Sequence, residues 1–314
     1  MSVQVIRYKD RAEWLEGRKG GIGSSEVGTI LGVNPWETPY QLWRRKKGLD
    51  APKVENFAMK AGHYLEDAVA HFFADSTGAE IIKRSAEDFL VVNSLREYLR
   101  VSPDRTFWLP NQVHNEGNKG ILECKTTQMS VDADSIPQHW YCQLQWQLGT
   151  AEMNSGALAW LTQGRDFGFA NYDFDAEFFG FMLEECDRFW TDYIIGDGVP
   201  ESISVDDVMI RTPRSTAGKA VEATEEISDI AAQLVERKAA ATAAAADVDE
   251  LTDKLKLFMG DAEALTYRGL NLATWKTGKG KTSFDGKKFQ ADHPDLVKPY
   301  MKTAPGNRTF LLKK

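Results

Sequence analysis

The chain has little cysteine: Cys124, Cys142 and Cys186 are its three, far apart and with no C-x-x-C pair. That argues against a disulfide framework, a zinc knuckle and a four-cysteine iron–sulfur cluster, and it fits a reducing cytoplasm. No run of about 18 apolar residues occurs, so no membrane span is expected. The opening residues, MSVQVIRYKDRAEW, lack the apolar core of a signal peptide. An excess of positive charge is missing too. The net charge of -8 counts at first sight against a nucleic-acid partner. A dinucleotide fingerprint is rejected, because the glycines near residue 20 follow a helical segment and no third glycine has the required spacing.

What is present describes a globular protein. A chain of 314 residues is long enough for one large domain or two ordinary ones. Hydrophobic content of 42% with 27% charged residues sets it apart from disordered and fibrous chains. The charge is unevenly placed: residues 263–314 hold 11 Lys and Arg against 4 Asp and Glu, net +7, and the remainder is -15. An acidic body with a basic tail is compatible with DNA binding through local patches.

The stretch that organises the chain is Arg100-Val-Ser-Pro-Asp104 followed by Gly120-Ile-Leu-Glu-Cys-Lys125. Residues 98–108 and 119–127 are expected to pair as a hairpin with a polar turn near 110–118. Side chains alternate along a strand, so Glu123 and Lys125 share one face while Leu122, Cys124 and Thr126 take the other. With Asp104, the pair suits a divalent-metal site with a cation beside it; a surface ion pair is the ordinary alternative. Residues 56–75 predict a helix on which Met59, Gly62, Glu66, Val69 and Phe73 form one stripe. Glu66 is the acid on that stripe and can complete a three-carboxylate set. A helix from Pro137 carries a core stripe, Trp140, Leu144 and Leu148, beside an amide stripe of Gln143 and Gln147. The amides face either the metal site or the surface.

Two cationic features lie upstream. Asp10 caps a short helix over 10–17 that turns Trp14 inward. The segment from Arg18 through Gly23, Ser24 and Ser25 then enters another helix, a ready anion site or merely a turn and a cap. A helix begun by Thr38 and Pro39 ends in Arg44, Arg45, Lys46 and Lys47, which complement the helix dipole or meet a phosphate backbone. Strands are expected at 80–84, 88–92, 156–162 and 167–174, with an amphipathic helix over 175–195. Residues 1–212 thus predict an α/β core: a mixed, mostly antiparallel central sheet flanked by helices. Residues 213–262 keep apolar heptad spacing, with only Arg237 out of pattern, and predict an arm that is one helix of about 60 Å or a helical hairpin. Residues 263–314 predict a small basic module with strands at 264–276 and 307–312 around the loop Lys276–Lys281.

In order, these elements resemble the phage lambda exonuclease family, in particular its YqaJ-like viral recombinase branch, within the PD-(D/E)xK nuclease superfamily. The match rests on Arg18 with Ile22-Gly-Ser-Ser-Glu26, Pro39-Tyr-Gln-Leu-Trp43 through Lys47-Gly-Leu49, Gly62-x-x-x-Glu66, Ser102-Pro-Asp104, Leu122-Glu-Cys-Lys125 and Tyr141-x-Gln-Leu-Gln145. It covers about residues 13–195 and implies a restriction-endonuclease-like core. By that resemblance Asp104, Glu123 and the backbone carbonyl of Cys124 bind Mg²⁺ or Mn²⁺, and Glu66 serves a second ion. Lys125 and Gln143 act at the scissile phosphate. Arg18, Ser25 and Ser102 form a pocket for a terminal 5′-phosphate, with Arg44 and Arg45 as further DNA contacts. The implied reaction is 5′-to-3′ hydrolysis of one strand of duplex DNA from its end, leaving 3′ overhangs for an annealing protein. A homo-oligomer, such as a trimeric ring, and a phage or prophage origin in the bacterial cytoplasm also follow from the resemblance. A structure- or sequence-selective endonuclease and a non-catalytic DNA-end-binding scaffold are the competing readings. The C-terminal 100 or so residues exceed the shortest family members, so the ring cannot simply be carried over.

Overall fold

The computed structural model describes residues 3–51, 56–82, 88–110, 112–302 and 306–312, with the Glu116 side chain left aside. The chain divides into two compact units, residues up to 211 and residues from 212 onward. In the first, the elements in order are β1 (Val3–Arg7), α1 (Arg11–Lys19), β2 (Ile22–Gly23), α2 (Ser24–Ile30), α3 (Pro39–Lys46) and α4 (Phe57–Thr77). Then come β3 (Glu80–Ile82), β4 (Phe89–Asn93), β5 (Arg96–Val101), β6 (Arg105–Trp108) and β7 (Gly120–Thr127). The unit closes with α5 (Gln138–Ala151), β8 (Ser155–Thr162), β9 (Asp166–Asp173), α6 (Ala176–Phe189) and α7 (Val205–Arg211).

Among the described residues the unit holds two sheets. One is ordered β3-β6-β7-β8-β9 and is antiparallel except for the parallel pair β7–β8; the other is ordered β1-β4-β5-β2. The first is the expected mixed sheet; the second adds to that expectation. The single strand expected over 98–108 breaks at Ser102, Pro103 and Asp104. There β5 leaves to one sheet and β6 enters the other, pairing with β7 in the register Arg105↔Leu122. Proline has no N–H for a ladder, so Pro103 suits a point where pairing changes partner. Asp104 therefore sits where the two sheets part. The expected strand 80–84 is β3 over its first three residues, and its end lies outside the described residues.

β7 is covered on both faces. Leu122 and Cys124 pack with Val69, Ala70 and Phe73 of α4, and Ile121 packs with Trp140, Leu144 and Leu148 of α5. Helix α5 is buried nearly all round, because Cys142 and Trp146 on its other side meet Ile22, Val27, Val101 and Met182. A helix covered on nearly all sides belongs in a core, and Gln143, Gln145 and Gln147 are hydrogen-bonded there. Close approach of α2 to α5 needs Gly28: a Cβ there would lie 2.9 Å from the Cβ of His139. Thr38 Oγ1 donates to Asp207 Oδ1 at 2.7 Å, and Trp43 Nε1 donates to the Tyr193 carbonyl at 3.0 Å. These bonds hold α7 and the π-helical turn Trp190–Ile195 against α3.

In the second unit, α8 (Glu225–Met259) is one continuous helix, so the helical-hairpin alternative is set aside. Its 35 residues span about 50 Å. β10 (Ala264–Tyr267) and β11 (Leu270–Thr274) form a hairpin turned at Arg268 and Gly269, whose φ values of 49° and 80° suit a two-residue turn. The expected single strand 264–276 is thus two strands. Short helices α9 (Gly286–Asp292) and α10 (Pro294–Val297) follow. Residues 306–312 form no strand; Phe310 and Leu311 are exposed, with no apolar face to bury there. No helix among the described residues is long and apolar enough to cross a membrane.

Candidate active site

The face of β7 that carries Glu123 and Lys125 looks onto α5. Glu123 is 3% exposed, and both of its oxygens are engaged. Oε1 accepts from Lys125 Nζ at 2.8 Å and from Gln143 Nε2, and Oε2 accepts from Gln147 Nε2 at 2.8 Å. Lys125 Nζ also donates to Gln143 Oε1 at 2.6 Å, closing a triangle of carboxylate, ammonium and amide. A buried carboxylate is costly unless paired and hydrogen-bonded, and here it is both.

Asp104 reaches the same place from the sheet break. Its Oδ2 accepts from the Cys124 backbone N–H at 2.9 Å, which ties it to the middle of β7. Burial pushes the Asp104 carboxyl well above the usual carboxylate range, and the charges of Glu123 and Glu66 push it the same way; Lys125 and the Cys124 N–H oppose them. Burial likewise pushes the Cys124 thiol up, with Asp104 and Glu123 adding to it, so its side chain is a neutral core group. Glu66 comes from α4, partly buried, its Oε1 2.8 Å from His63 Nδ1. Asp67, the next residue along α4, is exposed and pairs with Arg105.

One cavity of about 510 Å³ joins these groups. Glu66, Asp104, Cys124, Lys125 and Gln143 line one part of it, and Arg18, Ser25 and Ser102 line another. Arg18 Nη2 donates to Ser25 Oγ at 3.5 Å. Gly23, not a serine, caps α2, and Glu26 reaches back to the Gly23 N–H at 2.8 Å. That leaves the Ser25 side chain exposed. Arg44 and Arg45 are not brought to the cavity. Arg44 binds Asp50 at 2.8 Å, and Arg45 binds Glu37 at 2.8 Å and Glu26 at 3.0 Å. Lys46 is buried against Glu26 at 2.8 Å, and Lys47 donates to the Ile194 carbonyl at 2.7 Å. The whole cationic run is spent on intramolecular partners.

The cavity is also lined by Arg11, Trp14 and Arg100, to which sequence reasoning assigned no role in the site. Arg11 and Arg18 both lie over the Trp14 ring, their guanidinium carbons 3.8 and 4.7 Å from its centroid. The spacing 11, 14, 18 is one face of a helix, a signal open to reading. Arg100 lines the wall and donates to the Gly17 carbonyl. Gln147 is fully buried, and its Nε2 also lies 3.3 Å from Ser24 Oγ, so it links the N-terminal loop to Glu123.

The donor set suits a hard divalent cation in one form only. No group of three or more His, Cys, Asp or Glu among the described residues could hold a metal ion by itself. Asp104 and Glu123 offer carboxylate oxygens, and the Asp104 carboxyl is raised first by burial and then by the charges of Glu123 and Glu66, which a bound cation would offset. A small hard cation that keeps several waters needs no more than one or two carboxylates.

Comparison with known proteins bears on these residues. Residues 13–154 match the model of the YqaJ-like viral recombinase domain, a span that contains Arg18, Ser25, Glu66, Ser102, Asp104, Glu123, Lys125 and Gln143. The uncharacterized protein YqaJ of Bacillus subtilis is 27% identical over 303 residues, 93% of this chain and 91% of that protein. Among solved structures, an alkaline exonuclease from Laribacter hongkongensis superposes with a TM-score of 0.43 at 14% identity, covering 59% of this chain and 93% of that one. A phage related exonuclease from Haemophilus somnus gives 0.39 at 13% identity, covering 55% and 93%. Over residues 13–154 the chain is thus similar to the YqaJ-like viral recombinase domain.

Proposed function

We propose that the chain is a metal-dependent exonuclease that degrades one strand of linear duplex DNA in the 5′-to-3′ direction from a 5′-phosphorylated end. The observation that carries this reading is a single cavity containing Asp104, Lys125, Gln143 and Glu66 together with Arg18, Ser25 and Ser102. The first group suits hydrolysis of a phosphodiester, and the second suits a doubly charged terminal phosphate. Asp104, Glu123 and the Cys124 carbonyl would hold Mg²⁺ or Mn²⁺, with Glu66 available to a second ion. Bound there, the metal would supply charge neutralisation and Lewis acidity at the scissile phosphate. Lys125, kept in place by Glu123 and Gln143, brings a positive charge to the phosphoryl oxygens as negative charge builds on them. Gln143 shares its amide between Glu123 and Lys125, which fixes both rotamers before substrate arrives. Arg18, braced on Trp14, presents a planar fork to the terminal phosphate. The product would be a 3′ overhang, the substrate of an annealing protein.

The test is digestion of end-labelled duplex with and without Mg²⁺, comparing 5′-phosphate ends, 5′-hydroxyl ends and covalently closed circles. Linear DNA is expected to be degraded only with the metal, and faster from a 5′-phosphate. In Arg18→Ala that preference should shrink by about 10-fold, since the substitution removes one charge-assisted hydrogen-bonding group. Cleavage of closed circles would sink the exonuclease reading in favour of an endonuclease.

The basic C-terminal residues would add duplex affinity of a sequence-independent kind. Neutralising Lys276, Lys279 and Lys281 together is expected to flatten the salt dependence of binding, by about 0.9 in log–log slope for each phosphate no longer neutralised. An unchanged slope in a fluorescence-anisotropy titration would remove this loop from the DNA-binding surface.

A further inference from the structure

Among the described residues, helix α8 carries an apolar stripe that is largely exposed. Ile227, Ile230, Val248, Leu251, Leu255 and Phe258 are each 48% to 81% exposed. With Leu234, Ala241 and Ala244 they occupy alternate steps of three and four residues, the a and d positions of a heptad repeat. Arg237 fills the remaining d position. A stripe of this length with one charge inside it is the seam of a coiled coil, and the question is which helix completes it.

We propose that α8 pairs with α8 of a second copy of this chain, in antiparallel orientation. Placing Ala241 opposite Ala244 of the second copy sets every other pair in register: Ile227 with Phe258, Ile230 with Leu255, Leu234 with Leu251, Arg237 with Val248. The twofold axis then falls between residues 242 and 243, inside the alanine run 239–246, where small side chains let two backbones approach closely. Large side chains meet large ones toward both ends. Charge decides the direction. In the antiparallel register Arg237 lies against Val248 of the second copy, one residue from Asp247 and Asp249. A parallel pair would set Arg237 against Arg237 in the seam, and like charges across a seam are destabilising. Antiparallel pairing also places the acidic first turn, Glu225 and Glu226, near the end that carries Lys254 and Lys256. The pairing uses residues 225–259 alone and is independent of the catalytic reading.

Full-length variants with one added cysteine test it, since the three native cysteines are buried. A mixture of Ile230→Cys and Leu255→Cys chains treated with a short bis-maleimide should give a cross-linked dimer, and neither variant alone should. A cross-link from Ile230→Cys alone would show a parallel pair. No cross-link in any mixture would mean that α8 folds onto its own chain or takes another partner; either result overturns the proposal. Sedimentation gives a second measurement that needs no cysteine. Arg237→Asp should weaken the dimer about 10-fold, and adding Asp247→Arg with Asp249→Arg should restore it. A dimer strengthened by Arg237→Asp, or one not restored by the second change, would equally overturn the antiparallel register.

Discussion

Strand cleavage should fall by about 10³-fold or more in Glu123→Ala and in Lys125→Ala, while duplex binding changes little. The two losses are not independent. Removing Glu123 leaves the Lys125 ammonium and two glutamine amides facing a gap, and removing Lys125 leaves a buried carboxylate with amides alone. The double variant is therefore expected to be scarcely worse than either single one, as befits residues that act as a unit. Because Glu123 is buried, Glu123→Gln serves as the variant that keeps shape and most hydrogen bonding while removing the charge. It should be as inactive as Glu123→Ala if charge is what the site needs. Cleavage by Glu123→Gln at the wild-type rate, measured on an end-labelled duplex, would refute the assignment.

How far the site was legible depends on which physical signal carried each residue. Glu123 and Lys125 were readable because strand alternation is local and strict, and Glu66 because its helical stripe is regular. Asp104 was readable as an acid near β7, whereas the transfer of the chain between two sheets at Ser102–Asp104 was not. A strand that changes partner looks like one strand from within, and only Pro103 marked the point. Gln147 looked like part of a surface-capable amide stripe because α5 was credited with a single apolar face. Its second face, Cys142 and Trp146, is covered by residues from β2, α2 and β5, which lie far away along the chain. Arg44 through Lys47 misled in the opposite direction. A run of cations signals affinity for anions but not whose; here Glu26, Glu37 and Asp50 supply them for Arg44, Arg45 and Lys46, while Lys47 takes main-chain carbonyls. In α8 the heptad spacing and the one charge within it were plain, since neither depends on long-range packing.

The buried cluster behind the N-terminal loop is where the largest loss of stability is expected. Glu26 is buried, accepts from the Gly23 N–H, and pairs with Lys46 at 2.8 Å and Arg45 at 3.0 Å. Burial alone would raise its carboxyl, but Lys46, Arg45 and Arg18 outweigh it and hold the group at about 2, against an ordinary value of 4.5. A folded-state value below the unfolded one means that the unfolded chain takes up the proton first as pH falls. The contribution of Glu26 is thus complete above pH 4.5, worth about 3 kcal/mol, and is lost as pH drops from there through about 2. Glu26→Ala should cost about 3–5 kcal/mol at neutral pH, because it strands the Lys46 ammonium in the interior without its counter-charge. Glu26→Gln separates charge from packing. Its deficit relative to wild type, measured by urea unfolding, should be largest above pH 5 and shrink steadily toward pH 2. A deficit that stayed constant over that window would mean that the carboxylate contributes shape and hydrogen bonds, and that its three cations add no net stability. Since Glu26 sets the first turn of α2 and draws α3 against it, the same variants should also loosen the loop that carries Arg18 and Ser25. The preference for a 5′-phosphate would then decline in step with stability, well before cleavage at Lys125 is affected.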